Sequence, residues 1–228
     1  MQASFVDRRD AGRALAWKLR QYAGRRDLLV LGLPRGGVPV AYEVAKALGA
    51  PLDVFVVRKL GVPGHEEVAF GAIASGGMRV LDPAVIAHVR ISEAVIERVT
   101  QVERAELERR EQMYRPDRQF TDVKGRTVIL VDDGIATGAS MFAAVHALRQ
   151  ERPARIIVAA PVGSADGVRA LSAIADACVC VVMPAIFHAV GLWYVDFAQT
   201  TNDEVRELLR DARAHMDAAD TVGARSDA

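Results

Sequence analysis

The sequence predicts an α/β fold in which a central parallel sheet is flanked by helices. Two observations support this fold class. Short continuous apolar runs recur along the chain, each ending in Gly, Pro or acidic residues, and stretches with helical spacing separate most of them. Strands that are apolar along both faces and alternate with helices are typical of a parallel sheet with both faces covered. With 228 residues, 51% of them apolar and 25% charged, the chain is predicted to form one domain over 1–228.

The predicted elements begin with an amphipathic helix. Apolar residues recur at helical spacing from Ala11 to Tyr22, with Asp10 placed to cap the start and Gly24 to end the helix. The five predicted strands occupy 27–34, 51–61, 125–133, 154–163 and 176–184. Predicted helices at 38–50, 138–151 and 164–175 follow the first, third and fourth strands.

Two segments interrupt this alternation. Residues 61–79 contain five glycines and no settled hydrophobic period, which is typical of a long mobile loop or a small hairpin. Residues 82–115 are predicted to be helical, because Asp82 precedes a proline at the first helical position and Ser92 starts a second periodic run. The mixed charges at the end of this run indicate a solvated helix, packed on the domain or on a partner subunit.

Charge and composition exclude some classes of function. Lys plus Arg and Asp plus Glu both number 29, so the formal net charge is zero, which argues against nucleic acid or an anionic membrane as the main partner. No signal-peptide core and no run of membrane-spanning length is found, and a cytoplasmic protein is expected. Cys178 and Cys180 have no second Cys or His pair at metal spacing, so we interpret them as small core residues of a buried strand.

The stretch VILVDDGIATGAS, residues 128–140, combines two acids with a bare backbone at the end of a strand. In parallel sheets, ligands bind where strand ends run into helix N-termini, and free backbone N–H groups at such a place can hold a phosphate. Asp132 and Asp133 would repel a phosphate that they faced. They are therefore expected to face vicinal hydroxyls and a magnesium ion, and a ribose 5-phosphate offers both features.

This stretch resembles the phosphoribosyl-pyrophosphate signature of type I phosphoribosyltransferases. The resemblance implies that Asp132 and Asp133 bind the ribose hydroxyls and, with the ligand diphosphate, a Mg²⁺ ion. It also implies that the 5-phosphate is bound by the loop residues Ala136, Thr137, Gly138, Ala139 and Ser140. The position of Ala136 is an acid in the 6-oxopurine branch of the family, so hypoxanthine and guanine are disfavoured as substrates.

Two further stretches extend the resemblance. LGLPRGGVPVA is similar to the family's diphosphate loop, which implies that Arg35, Gly36 and Gly37 bind the diphosphate and that the Pro34–Arg35 peptide is cis. An ordinary strand-to-helix turn is the alternative. VVRKLG is similar to the start of the family's catalytic loop, which makes Arg58 and Lys59 candidate catalytic residues with Arg35 and implies a homodimer. A surface ion pair is the alternative for these two cations.

Two further segments are predicted to close over the site. The resemblance makes 61–79 a mobile lid that excludes water, and 184–200 a small C-terminal hood over the acceptor. Phe187 and Trp193 in the hood are candidates to stack on a nucleobase, although packing in the core or at a dimer interface explains them as well.

The predicted function is a Mg²⁺-dependent phosphoribosyltransferase. It would transfer the 5-phosphoribosyl group of phosphoribosyl pyrophosphate to a nitrogenous acceptor, a nucleobase being the expected class, and release diphosphate. The alternative is a regulator that senses phosphoribosyl pyrophosphate or a nucleotide without catalysis. Neither reading includes a nucleic acid or a membrane as partner.

Overall fold

The computed structural model describes residues 4–116 and 119–226. It contains eight β-strands within these ranges: β1 (Leu28–Gly32), β2 (Leu52–Val54), β3 (Val57–Val62), β4 (His65–Ala74), β5 (Met78–Leu81), β6 (Thr127–Val131), β7 (Arg155–Val162) and β8 (Ala177–Val182). The described helices are α1 (Arg8–Leu19), α2 (Gly37–Leu48), α3 (Pro83–Val89), α4 (Glu93–Tyr114), α5 (Ala139–Gln150), α6 (Ala165–Ser172) and α7 (Asn202–Ser226).

The centre of the fold is a five-stranded parallel sheet in the order β2-β1-β6-β7-β8. Alternate residues of its central strands point into two separate cores. Leu28 and Val30 of β1 pack in one cluster with α1, α2 and α7, whereas Leu29 and Leu31 pack in another with α5. Both faces of the sheet are therefore covered, which confirms the predicted fold class and explains why the strands read as continuous apolar runs.

The segment 51–61, predicted as one strand, forms two strands in different sheets. The Phe55 N–H still donates to the Gly32 carbonyl of β1, but the Val56 N–H donates to the Ser75 hydroxyl instead. From this point the chain enters an antiparallel sheet in the order β3-β4-β5. The prediction of a single strand was wrong, because the hydrophobic pattern continues unchanged where the chain passes from one sheet to the other.

The same antiparallel sheet accounts for the glycine-rich segment 61–79, which forms the β3–β4 hairpin and leads into β5. Of the two alternatives for this segment, the structure contains the hairpin. The predicted helical segment 82–115 is confirmed as α3 and α4, and α4 packs against β3, β4 and α7 of its own chain.

The first helix begins earlier than predicted. Asp7, not Asp10, is the N-cap, and its carboxylate accepts a hydrogen bond from the Asp10 N–H at 2.7 Å. The helix therefore starts at Arg8, close to the candidate site described below. No element was predicted after residue 200, where the structure has α7.

The two cysteines lie on β8, which is an edge strand of the parallel sheet. Both are half-buried rather than enclosed in the core, and burial raises the pKa of the Cys180 thiol to about 12. They are thus poor nucleophiles.

Across the described ranges, no helix combines the length and apolarity that a membrane crossing requires.

Candidate phosphoribosyl site

The strand order places the candidate site at a topological switch point. β1 and β6 are neighbours, and the chain leaves β1 toward β2 on one side and β6 toward β7 on the other. Gly32 pairs with Val131, so the loops that follow the two strands begin side by side. Ligands of open α/β sheets bind in the crevice between such diverging loops.

The two loops are in close contact at their glycines. A Cβ atom on Gly36 would lie 2.0 Å from Oδ2 of Asp133, and one on Gly37 would lie 2.7 Å from the Val131 carbonyl oxygen. Only residues without a side chain fit here. The tertiary structure therefore brings the predicted diphosphate loop against the predicted ribose-binding acids. The Pro34–Arg35 peptide bond is cis, as the family resemblance implies.

Asp132 and Asp133 are half-buried at the end of β6. The Asp133 N–H donates to Oδ1 of Asp132 at 2.9 Å. Burial raises the pKa of both carboxyl groups, and the charge of Asp133 raises the pKa of Asp132 further. Hydroxyl donors or a cation would stabilise this pair of carboxylates.

Arg8 is a member of the site that the sequence analysis missed. Its Nε donates to Oδ2 of Asp133 at 2.9 Å, and this contact opposes the rise in the pKa of Asp133. Its Nη1 donates to the Ala198 carbonyl at 2.6 Å, and its guanidinium lies 3.9 Å from the centre of the Phe197 ring. The Asp7 cap could have placed Arg8 at a helix start, but no local pattern shows that its side chain reaches Asp133.

The predicted phosphate loop, residues 136–140, is exposed, and a hydrogen bond from another segment holds its first residue in place. The side chains of Ala136, Thr137, Ala139 and Ser140 are all exposed. Gly138 has φ of 76° and is the N-cap of α5, so the free N–H groups of that helix open onto the loop. The Ser164 hydroxyl donates to the Ala136 carbonyl at 2.6 Å, which fixes the base of the loop. These are the features expected of a phosphate-binding loop.

The three predicted cations lie in different surroundings. Arg35 is half-buried and makes no ion pair with any residue that the structure describes. Lys59 is exposed on β3 and lines a 500 Å³ cavity together with Thr137 of the phosphate loop. Arg58, by contrast, is bound to Glu103 of α4, with nitrogen–oxygen distances of 2.6 and 2.7 Å. The ion-pair alternative is therefore observed for Arg58 in this structure.

The hood, residues 184–200, contacts the acid loop directly. The Tyr194 hydroxyl donates to the Asp133 carbonyl at 2.5 Å, and a Cβ on Gly134 would lie 2.4 Å from a methyl group of Val190. Trp193 is only 8% exposed and packs in a small core, which is the packing alternative that the sequence left open. Phe187 is half-buried beside the same core. Ligand stacking on these two rings stays a prediction.

Within the described part of the chain, no group of three or more His, Cys, Asp and Glu side chains could hold a metal ion. Asp132 and Asp133 supply two carboxylates, and Mg²⁺ at phosphate sites commonly takes one or two carboxylates and completes its shell with ligand oxygens and water. The donor set therefore fits a magnesium ion that arrives with a phosphorylated ligand.

Comparisons with known proteins identify the family of the chain. The family model described as "Phosphoribosyl transferase domain" matches residues 6–196, which include every loop named above. The crystal structure of TT1426 from Thermus thermophilus is similar over 91% of this chain and 98% of that one, with a TM-score of 0.82 and 45% sequence identity.

A curated relative extends the comparison to a longer protein. "Putative phosphoribosyl transferase Rv0571c" of Mycobacterium tuberculosis is 48% identical over 216 residues. The match covers 95% of this chain and 48% of that protein, so the chain spans about half the length of the curated relatives it matches. The family match and the two relatives together show that this chain belongs to the phosphoribosyl transferase domain family.

Proposed function

We propose that the chain transfers the 5-phosphoribosyl group from phosphoribosyl pyrophosphate to a nitrogenous acceptor, a nucleobase being the favoured class. The C1–oxygen bond to diphosphate breaks, and a bond forms between C1 and the acceptor nitrogen, which loses its proton. The observation that carries this proposal is the direct contact of Gly36 with Asp133. This contact supports the proposal because the loop that we assign to the diphosphate and the acids that we assign to the ribose lie within the span of one ligand.

Each part of the site has a role in the proposed reaction. Asp132 and Asp133 accept hydrogen bonds from the ribose hydroxyls, and the backbone of 136–140 binds the 5-phosphate. These contacts fix the two ends of the sugar while C1 moves from the diphosphate toward the acceptor. Arg35 and Lys59 stabilise the charge that accumulates on the leaving diphosphate in an oxocarbenium-like transition state.

Mg²⁺ is the proposed cofactor, held by Asp132 and Asp133 together with oxygens of the diphosphate and the ribose. When bound, it supplies positive charge to the leaving group. The β3–β4 hairpin, which carries Lys59 and borders the phosphate loop, is the proposed lid over this charge.

Isothermal titration tests the binding step. Phosphoribosyl pyrophosphate is titrated with and without Mg²⁺ into the parent chain and into a variant with Asp132→Asn and Asp133→Asn. Asp166→Asn, at an exposed position in α6, is the matched control. We expect magnesium-dependent binding by the parent and the control, and loss of that dependence in the double variant. Equal affinity in all three proteins would refute the assignment.

A screen for diphosphate release over nucleobases in the same buffer tests transfer. Release with one base would establish a transferase and identify its acceptor. Ala136 leaves no acid beside the acceptor at that position, so 6-oxopurines are expected to be poor acceptors. Release with hypoxanthine or guanine alone would contradict this part of the proposal.

A regulator that binds the same ligand without turnover is the second candidate. It is favoured by one observation: the ion pair of Arg58 with Glu103 leaves one cation fewer to stabilise a leaving diphosphate. Magnesium-dependent binding without diphosphate release for any acceptor would support the regulator.

A homodimer also belongs to the proposal. It is supported by exposed apolar side chains near the edge strand and the hood, among them Met183, Ile186 and Val195. Sedimentation velocity should give a mass of two chains, and a monomer at micromolar concentration would contradict this part.

A further inference from the structure

The contacts of Arg8 join three parts of the molecule at the acid pair. The residue is the first of α1, its guanidinium binds the carboxylate of Asp133, and its other contacts are the Ala198 carbonyl and the face of Phe197. Its side chain is only 12% exposed. Arg8 therefore has little freedom to move, and its position is set from the hood side.

We propose that Arg8 is a positioning residue for the sugar: it holds Oδ2 of Asp133 so that Oδ1 faces the ribose hydroxyls and selects ribose over deoxyribose. The inference rests on the proposed function, since it assigns the ligand's ribose to this acid pair.

The geometry of the carboxylate carries the argument. Oδ2 of Asp133 accepts a hydrogen bond from Arg8 and would lie 2.0 Å from a Cβ atom on Gly36, so it is enclosed between the guanidinium and the loop that contains Gly36. Oδ1 accepts no hydrogen bond from the residues that the structure describes. One oxygen is thus occupied by the protein, and the other is left for a donor from outside it.

This division has a consequence for specificity. A carboxylate that rotated freely could accept hydrogen bonds from water, or bind a metal ion, in several orientations. With Oδ2 fixed, Oδ1 has one orientation, and a hydroxyl in the right place gains a hydrogen bond to a charged acceptor. A sugar that lacks that hydroxyl leaves the carboxylate without its donor, which is the situation in which binding sites discriminate most strongly.

The alternative role for Arg8, blocking the site, predicts the opposite change in affinity. If the guanidinium instead blocked the site and had to be displaced by ligand, its removal would increase the affinity for ribose 5-phosphate. The two roles are therefore separated by the sign of one change in affinity.

The experiment measures dissociation constants for ribose 5-phosphate, 2-deoxyribose 5-phosphate and inorganic phosphate by isothermal titration. The proteins are the parent chain, Arg8→Ala, Arg8→Lys and Arg9→Ala. Arg9 is the control because it is the next residue in the same turn and contacts Glu43 and Tyr42 instead. Circular dichroism and thermal unfolding show that each variant is folded.

In the parent chain, we expect ribose 5-phosphate to bind about tenfold more tightly than the deoxy sugar, as one hydrogen bond to a charged group predicts. Arg8→Ala should bring this ratio close to one and leave the phosphate affinity unchanged. Arg8→Lys should restore part of the ratio, and Arg9→Ala should retain all of it. A purely structural role would weaken all three ligands together.

Two results would overturn the inference. One is an unchanged ratio in Arg8→Ala, and the other is tighter ribose 5-phosphate binding in that variant. If Arg8→Ala does not fold, Phe197→Leu tests the same point, because it removes the ring under the guanidinium and should also lower the ratio. A parent chain that binds ribose 5-phosphate and 2-deoxyribose 5-phosphate equally would also overturn the inference, whereas a parent chain that binds neither sugar phosphate would refute the proposed function.

Discussion

The contact of Gly36 with Asp133 gives the most direct test of how the two loops form one site. Replacing Gly36 with alanine adds one Cβ, 2.0 Å from Oδ2 and 2.8 Å from Cγ of Asp133. Gly36 has φ of −61° and ψ of −31°, which alanine adopts without strain. The whole effect of Gly36→Ala should therefore come from the carboxylate and its neighbours.

The size of the effect follows from the distances. Cβ atoms essentially never approach another heavy atom within 3.0 Å, so Oδ2 of Asp133 must retreat by about 1 Å and lose its 2.9 Å hydrogen bond from Arg8. A hydrogen bond to a charged group contributes about 1.5–3 kcal/mol to stability. Gly→Ala at a compatible position stabilises the fold by about 0.4–1 kcal/mol, because it reduces the conformational entropy of the unfolded chain. We expect Gly36→Ala to lower the free energy of unfolding by roughly 0.5–2.5 kcal/mol.

Urea denaturation, followed by the fluorescence of the buried Trp193, measures this difference. The control is Gly36→Ala in an Asp133→Ala background, where the clash is absent and the substitution should be neutral or slightly stabilising. An equal loss of stability in both backgrounds, or no loss in the parent, would refute the reasoning. The single variant should also bind phosphoribosyl pyrophosphate more weakly, because both halves of the site are displaced.

Three other substitutions test different parts of the structure. Asp132→Asn should raise the melting temperature at pH 8 and have less effect at pH 4. The pKa of Asp132 is raised in the folded chain, so its ionised form becomes destabilising as the pH rises above the usual carboxyl range. Thermal unfolding at both pH values measures this difference. Arg115→Met should lower the free energy of unfolding by about 3 kcal/mol or more, since Arg115 is 2% exposed and bound to the fully buried Asp53. The same change at the exposed Arg109 should lower it by under about 0.5 kcal/mol. Urea denaturation measures both differences. Gly134→Ala should destabilise the chain because its Cβ would lie 2.4 Å from Val190, and if the hood contact is the cause, Val190→Ala should restore most of the loss in the same assay.

The loops that carry the candidate site could be predicted from the sequence because each lies within one short stretch. The apolar run that makes β6 and the acids that follow it are contiguous, and so are β1 and its glycines. A strand that ends in ligand-binding residues is a local pattern, and the parallel sheet then brings neighbouring strand ends together.

The surroundings of individual charged residues could not be predicted in this way. Arg58 lies at a strand end in the sequence, which makes it a candidate for contact with a ligand or for a surface ion pair. The structure pairs it with Glu103, on a helix that no short-range pattern places there. Trp193 was a candidate for an exposed stacking surface and is buried against Phe5 and the end of β7. Both outcomes depend on which distant segment packs beside the residue.

The sequence by itself determined the α/β class, the parallel sheet, the helical segment 82–115 and the two loops of the candidate site, because hydrophobic period and turn residues are local properties of the chain. Only the tertiary structure decided that 51–61 divides between two sheets and that Arg8 binds Asp133. Those features depend on contacts between segments far apart in the chain, and the energies of such contacts are fixed by the packing of the whole molecule rather than by any one stretch.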